Sequence, residues 1–228
     1  VLEYPFDKMF ASRSAEDFIQ SVLIDWIKAK EVVTGFDFHF GKGREGGPAF
    51  LLASGGHHGF GVSLIDAFRD ENADVISSSH IRTMIAEGDV VGAAAQLGYR
   101  YTVQSPVIHG KKLGRTLGFP TANMALPPEL QLRAGIYAVR FRLENGTIHD
   151  GVASFGYRPT VTDHGAALLE TMLFDFSGDL YGQNCCVSFF GFLRPEMKFD
   201  GLDPLVVQMN RDVEEARALL SGVMPLTP

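Results

Sequence analysis

A change of hydrophobic period at Tyr99 restricts this chain's fold more than any other feature of it. Ahead of Tyr99, apolar residues recur at helical spacing. Beyond it they alternate, which is the period of a half-buried strand. Phe18, Val22, Leu23, Trp26 and Ile27 form one amphipathic stripe, and Ser14 followed by Glu16 and Asp17 supplies a cap with acid in the first turn. Val32–Phe40 is a short β-branched and aromatic run, so it is predicted as a strand. A glycine-rich loop is expected from Gly41 to Gly61. Ser77–Ser79 can cap a helix carrying Ile81, Met84 and Ile85, and Asp89 can cap another that ends at Gly98. Helix, strand, helix is the alternation of an α/β layer, with too few strands for a complete one.

After Tyr99, residues 101–109 and 118–126 read as extended. Ile136–Leu143 and Ile148–Phe155 flank Asn145-Gly146, a pair suited to the positive φ of a hairpin turn. Leu168–Phe176 and Asn184–Leu193 are expected to form a second hairpin around Ser177–Gly182. Six strands at this spacing predict a small antiparallel barrel. A closing helix follows, with Asp203 as cap, Pro204 in the first turn, and Leu205, Val206, Met209, Val213 and Ala216 on one stripe. The boundary is placed near residue 98, giving segments 1–98 and 99–228.

Residues 114–123 read GRTLGFPTAN. Gly114 and Gly118 let backbone approach a ligand closely, and Arg115 offers a fork for phosphate oxygens. Thr121 and Asn123 lie two apart on an extended segment, so their side chains share a face. Two such oxygen donors suit Mg²⁺, which keeps waters and substrate phosphates as its other ligands. The same spacing equally describes a strand with a polar outer face. Gly41, Gly43 and Gly46 match GxGxxG, but Gly47-Pro48 reads as a chain break where the dinucleotide fingerprint would open a helix. No GxxxxGK[ST] sequence is present, which excludes the P-loop enzymes.

GRTLGFPTAN resembles the signature of the riboflavin kinase family. The resemblance continues in order through AGIYAV (Ala134–Val139), GVASFGYRPTV (Gly151–Val161), LLETMLFDFSGDLYG (Leu168–Gly182) and FLRPEMKF (Phe192–Phe199). It implies a six-stranded barrel with a C-terminal helix, ATP and riboflavin as substrates meeting across the barrel, and FMN as product. It also implies Gly114, Arg115 and Gly118 at the ATP phosphates, Mg²⁺ on Thr121 and Asn123, and Glu170 as catalytic base. Leu168, Leu169, Met172, Leu173 and Phe174 surround that Glu with apolar neighbours. The family often carries His where this chain has Met172.

The first half resembles the FMN adenylyltransferase module that precedes this kinase in bacterial bifunctional FAD synthetases. The matching segments are VVTGFDFHFGKGREG (Val32–Gly46) and ISSSHIR (Ile76–Arg82). The resemblance implies an incomplete Rossmann-like nucleotidyltransferase domain, with Ser78 and Arg82 serving ATP phosphates at a helix N-terminus. Asp37 stands at a position associated with metal or nucleotide, and equally suits the turn at a strand end. The family's HxGH turn has no counterpart here, and His57-His58-Gly59 lies at the wrong place for it. The chain opens at Val1 rather than Met, so an upstream segment is expected.

Composition narrows the partners. The formal net charge of −7 argues against binding nucleic acid, which needs a basic face. No apolar run approaches the roughly 20 residues needed to span a bilayer, so no membrane partner is expected. The two cysteines, Cys185 and Cys186, are adjacent and suit neither a structural disulfide nor a metal site, which points to the reducing cytoplasm. The leading reading is a riboflavin kinase whose parent chain also converts FMN to FAD. A monofunctional kinase, or a flavin-binding module with a degenerate adenylyltransferase half, is the alternative. Oligomeric state is not legible.

Overall fold

A computed structural model of the chain describes residues 1–110, 120–158 and 166–223. Gly114, Arg115 and Gly118 therefore lie outside the described residues. The chain divides into two compact units, Val1–Ile76 and Ser77–Pro228.

In the first unit, helix α1 (Lys8–Ala11) is capped by Asp7, and α2 (Ala15–Asp17) by Ser14, whose Oγ accepts from the Asp17 amide. The helix then continues as a π-type winding over Phe18–Ile27. That wider winding turns the apolar stripe. Ile19, Val22 and Leu23 are buried, while Trp26 and Ile27, predicted on the same face, remain exposed. Strands β1 (Glu31–Gly35) and β2 (Gly61–Ile65) pair in parallel, so the predicted strand Val32–Phe40 ends sooner than its composition suggests.

Between them, the expected loop contains a helix, α3 (Pro48–His58). Pro48, expected to break the chain, occupies the first helical turn, where the missing N–H costs nothing and φ is already set. Two of the preceding glycines, Gly41 and Gly46, serve packing. A Cβ on Gly41, whose φ is +76°, would stand 2.6 Å from the Ala15 amide nitrogen, and one on Gly46 would stand 2.8 Å from the Phe40 ring. Only glycine fits either place.

In the second unit, α4 (Ser78–Glu87) and α5 (Val90–Leu97) carry the predicted caps at Ser77 and Asp89. Ile85, Val90 and Ala93 join the barrel's own core, and the Arg133 amide and guanidinium donate to the Ile85 and Glu87 carbonyls. The packing division consequently falls at Ile76/Ser77, ahead of the change of period at residue 98. Apolar faces, not strand period, decide which body a helix joins.

The barrel comprises β3 (Thr102–Ile108), β4 (Ala122–Leu126), β5 (Gly135–Arg142), β6 (Ile148–Arg158), β7 (Ala166–Leu173) and β8 (Asn184–Arg194). It is closed in the order β3-β4-β7-β6-β5-β8, with antiparallel neighbours throughout. The hairpin β5–β6 forms as predicted, although Gly146 alone (φ +89°) takes the positive φ. The second predicted hairpin does not form. β7 pairs with β4 and β6, while β8 inserts between β5 and β3 and closes the cylinder, which leaves no open edge. Tyr137, Phe141, Phe155, Leu169 and Phe189 fill the interior. Each such side chain contributes roughly 1.5–3 kcal/mol by leaving water.

Helix α6 (Leu202–Ser221) closes the chain, starting from Gly201 (φ +123°), so Asp203 lies in the first turn and is not the cap. It packs Val213, Ala216, Leu219 and Leu220 on the outer barrel wall beside Phe190 and Phe174. Arg140 donates to the Leu220 and Val223 carbonyls and so holds the helix's C-terminal end.

Candidate active site

Strand alternation sorts the barrel residues. On β7, Ala167, Leu169, Thr171 and Leu173 point into the core, and Leu168, Glu170 and Met172 point outward. Only part of the predicted apolar surround of Glu170 therefore shares its face: Leu168 and Met172 do, whereas Leu169 and Leu173 lie behind it. On β4 the same rule turns Met124 inward and Asn123 outward, and on β6 it turns Ser154 outward between Ala153 and Phe155.

The register then aligns these outward groups. Glu170 stands opposite Asn123 of β4 on one side and opposite Ser154 of β6 on the other. Such cross-strand partners have Cβ atoms about 4.5–5.5 Å apart. The three side chains make one polar row on the barrel's outer wall.

This row and one face of helix α6 line a common cavity of about 1010 Å³. Its polar side carries Thr121, Asn123 and Glu170. Its apolar side carries Leu168 and Met172 from β7, and Leu205, Met209 and Val213 from α6. One end is bounded by Arg194, whose Nε and Nη2 donate to the two Asp212 oxygens at 2.8 and 2.7 Å. Gln208 adds a third bond to Asp212. A hollow of this size, largely apolar with a few convergent polar groups, is the form of a small-molecule site.

Asn123 is nine-tenths buried or more, at 5% exposure. Its Nδ2 donates to the Thr121 carbonyl at 3.2 Å and approaches Thr121 Oγ1 at 3.5 Å. Its Oδ1 is buried and has no hydrogen-bond partner among the described residues. A buried amide oxygen in that condition is costly unless something outside the protein's own groups uses it. Gly110 closes over the same amide, since a Cβ there would stand 2.5 Å from Asn123 Nδ2. An orphaned oxygen next to a threonine hydroxyl is a donor set for a hard cation.

Other predicted residues stand apart from this row. Ser78 and Arg82 meet at the start of α4, where Arg82 Nη1 lies 3.3 Å from Ser78 Oγ, both exposed. Asp37 belongs to the first unit, exposed in the turn after β1, and its carbonyl is 2.8 Å from His39 Nδ1. Burial pushes the Tyr137 phenol strongly up, but that group lies in the barrel core, its hydroxyl donating to the Arg133 carbonyl. Ser154 and the α6 wall were not predicted as site residues. The stripe Leu205, Met209, Val213 was visible as a helix face, but sequence spacing cannot tell a face that fills a core from one that roofs a cavity.

A family described as riboflavin kinase matches residues 97–220, and one described as FAD synthetase matches residues 1–80. The chain belongs to the bifunctional riboflavin kinase/FMN adenylyltransferase family. A member from Haemophilus influenzae is 42% identical over 222 residues, covering 97% of this chain and 71% of its own length. The Escherichia coli K12 member is 36% identical over 225 residues, covering 99% and 71%. A crystal structure described as a macrolide-efflux protein from Streptococcus pneumoniae superposes with a TM-score of 0.78 at 33% identity, over 93% of this chain and 67% of that one. Among the described residues, no helix is long and apolar enough to cross a membrane. As a family member the chain is an enzyme, with riboflavin, FMN and ATP as its small-molecule substrates and product. Two enzyme families matched in tandem favour the bifunctional reading over a monofunctional kinase or a flavin-binding module.

Proposed function

We propose that the cavity beneath α6 is the site where riboflavin is phosphorylated, with Glu170 as the base. The reading rests on one observation above others: Asn123, Glu170 and Ser154 form a continuous polar row on the wall of a large hollow that carries apolar surface on its other side. The isoalloxazine ring packs against Met172, Met209 and Val213. The ribityl chain runs along the polar row, which brings its terminal hydroxyl to Glu170. Half-buried beside Leu168 and Met172, that carboxylate orients the hydroxyl and accepts its proton as the phosphoryl group arrives.

Mg²⁺ fits the residues present. Asn123 Oδ1 and Thr121 Oγ1 would hold it, leaving its other positions to water and ATP phosphates. Bound there, it would neutralise charge on the transferring phosphate. Gly114, Arg115 and Gly118 supply backbone amides and a guanidinium for the remaining phosphates, since they precede Thr121 on the same chain segment.

For the adenylyl transfer to FMN, Ser78 and Arg82 at the N-terminus of α4 are assigned to ATP phosphates, supported by their mutual contact and the helix dipole. Asp37 is assigned to nucleotide or metal. Residues 1–98 are taken as the adenylyltransferase part and 99–228 as the kinase domain. The free, buried Cys185 and Cys186 suit a reducing compartment, and the cytoplasm is proposed.

Glu170→Gln tests the central role. Turnover should fall about 10²–10⁴-fold, the usual share of a general base, while riboflavin binding, followed by its own fluorescence, stays near that of the parent. Wild-type turnover in this variant would remove Glu170 from the chemistry.

A further inference from the structure

Three of the chain's seven methionines line this one cavity: Met172 on β7, Met197 on the segment after β8, and Met209 on α6. Met197 is 52% exposed, and Met172 and Met209 are half-buried. By contrast, Met124 is fully buried in the barrel core. A small oxidant entering the cavity therefore meets thioethers on three of its sides.

We propose that Met172, Met197 and Met209 are an oxidation site, and that their conversion to sulfoxides by hydrogen peroxide lowers the enzyme's affinity for riboflavin. The inference rests on placing the flavin ring in this cavity. The chemistry is balanced within the pair of reactants. A sulfur lone pair attacks one peroxide oxygen, an S–O bond forms and the O–O bond breaks. The departing hydroxide takes up a proton and leaves as water. Sulfur loses two electrons and peroxide gains them.

The consequence follows from polarity. A thioether is soft, apolar and adaptable, and it packs well against an aromatic ring. A sulfoxide carries a strong acceptor oxygen that must stay hydrated or find a donor. Leu168, Leu205 and Val213 have none to offer Met172 and Met209; of the cationic donors on the same lining, Arg194 is held by Asp212, and Lys198 adjoins Met197 in sequence. Seating a flat ring there would strip water from the new oxygen, so the oxidised wall favours the empty cavity. The polar row is unaltered, so the loss belongs to riboflavin binding. The lesion is reversible, because methionine sulfoxide reductases restore the thioether.

The test uses the 228-residue chain, hydrogen peroxide and peptide mass spectrometry, with kinase assays at varied riboflavin and at varied ATP. One added oxygen at each of the three positions should raise the riboflavin KM about tenfold, equivalent to about 1.4 kcal/mol, with the ATP KM near its starting value. Treatment with both reductases should reverse it. Leucine at all three positions is a near volume-conserving change and should fold. That variant should keep its KM through the same treatment. Met172→Leu alone serves if the triple variant is unstable, and should blunt the effect.

Oxygen at the three sites with an unchanged riboflavin KM overturns the inference. So does an equal loss in the leucine variant, which would move the damage elsewhere, for instance to Cys185 and Cys186. Riboflavin bound beforehand should shield Met172 and Met209. Shielding without any KM change defeats the oxidation claim alone. Absence of shielding at saturating riboflavin defeats the placement of the flavin, and the inference with it.

Discussion

Glu170 faces the cavity from the middle of the polar row, opposite Asn123 and Ser154, so its replacement by Gln should remove the proton acceptor and leave the row's shape in place. Alternation along β7 was enough to turn it, with Leu168 and Met172, away from the core. Its neighbours across the sheet were not legible, because register joins residues 123, 154 and 170 through pairings that no local pattern encodes. The shared facing of Thr121 and Asn123 was predicted from spacing and is observed. The orphaned Oδ1 of Asn123 is something only coordinates can show. It leads to a specific expectation. Asn123→Ala should lose kinase activity chiefly at low Mg²⁺ and regain part of it as the metal is raised, in initial-rate assays across a Mg²⁺ series. An equal loss at every concentration would mean that Asn123 serves the strand and holds no metal. Thr171 presents a further orphan, a fully buried hydroxyl in the barrel core with no partner among the described residues, for which we have no physical account.

Elements were legible where cap and period agreed. Ser14, Ser77 and Asp89 cap the helices they were predicted to cap, and all six barrel strands occur near their predicted positions. Errors arose where one local signal has two meanings. Gly47-Pro48 can end a structured segment or begin a helix, and here it begins α3. β7 and β8 are neighbours in sequence, and a barrel can still close by separating them. Two predictions belong to this scale. Asp212 is buried on α6 and holds Arg194 at the end of β8, with side chains 5% and 15% exposed. Asp212→Ala leaves that guanidinium unpaired and should cost about 3–5 kcal/mol in urea unfolding. Replacing both partners by apolar residues of similar size should cost far less, and a similar loss in both variants would contradict this account of the pair. In the first unit, Gly41→Ala places a Cβ against the Ala15 backbone at a positive φ. It should destabilise that unit by more than about 1 kcal/mol, visible as a lower melting midpoint; an unchanged midpoint would show that the backbone relaxes freely there.

Across the whole molecule, the change of period at Tyr99 marks where the barrel's strands begin, and the packing break lies earlier. Ile85, Val90 and Ala93 bury their side chains in the barrel's core, so α4 and α5 travel with it. Apolar contacts of this kind span sequence distance and leave no local trace. Residues 77–228 expressed alone should fold cooperatively and retain kinase activity. Residues 99–228 should be less stable, because the barrel loses the cover of those three side chains; equal stability of the two fragments would show that the helices add nothing. The account's central claim is that the cavity between the outer barrel wall and α6 performs phosphoryl transfer to riboflavin. It is tested most directly by incubating residues 77–228 with riboflavin and Mg-ATP and identifying the products by chromatography and mass. The account predicts FMN and ADP in equal amounts from the parent fragment, and almost none from its Glu170→Gln variant. Unchanged riboflavin with the folded parent fragment, or equal FMN from both proteins, would contradict it.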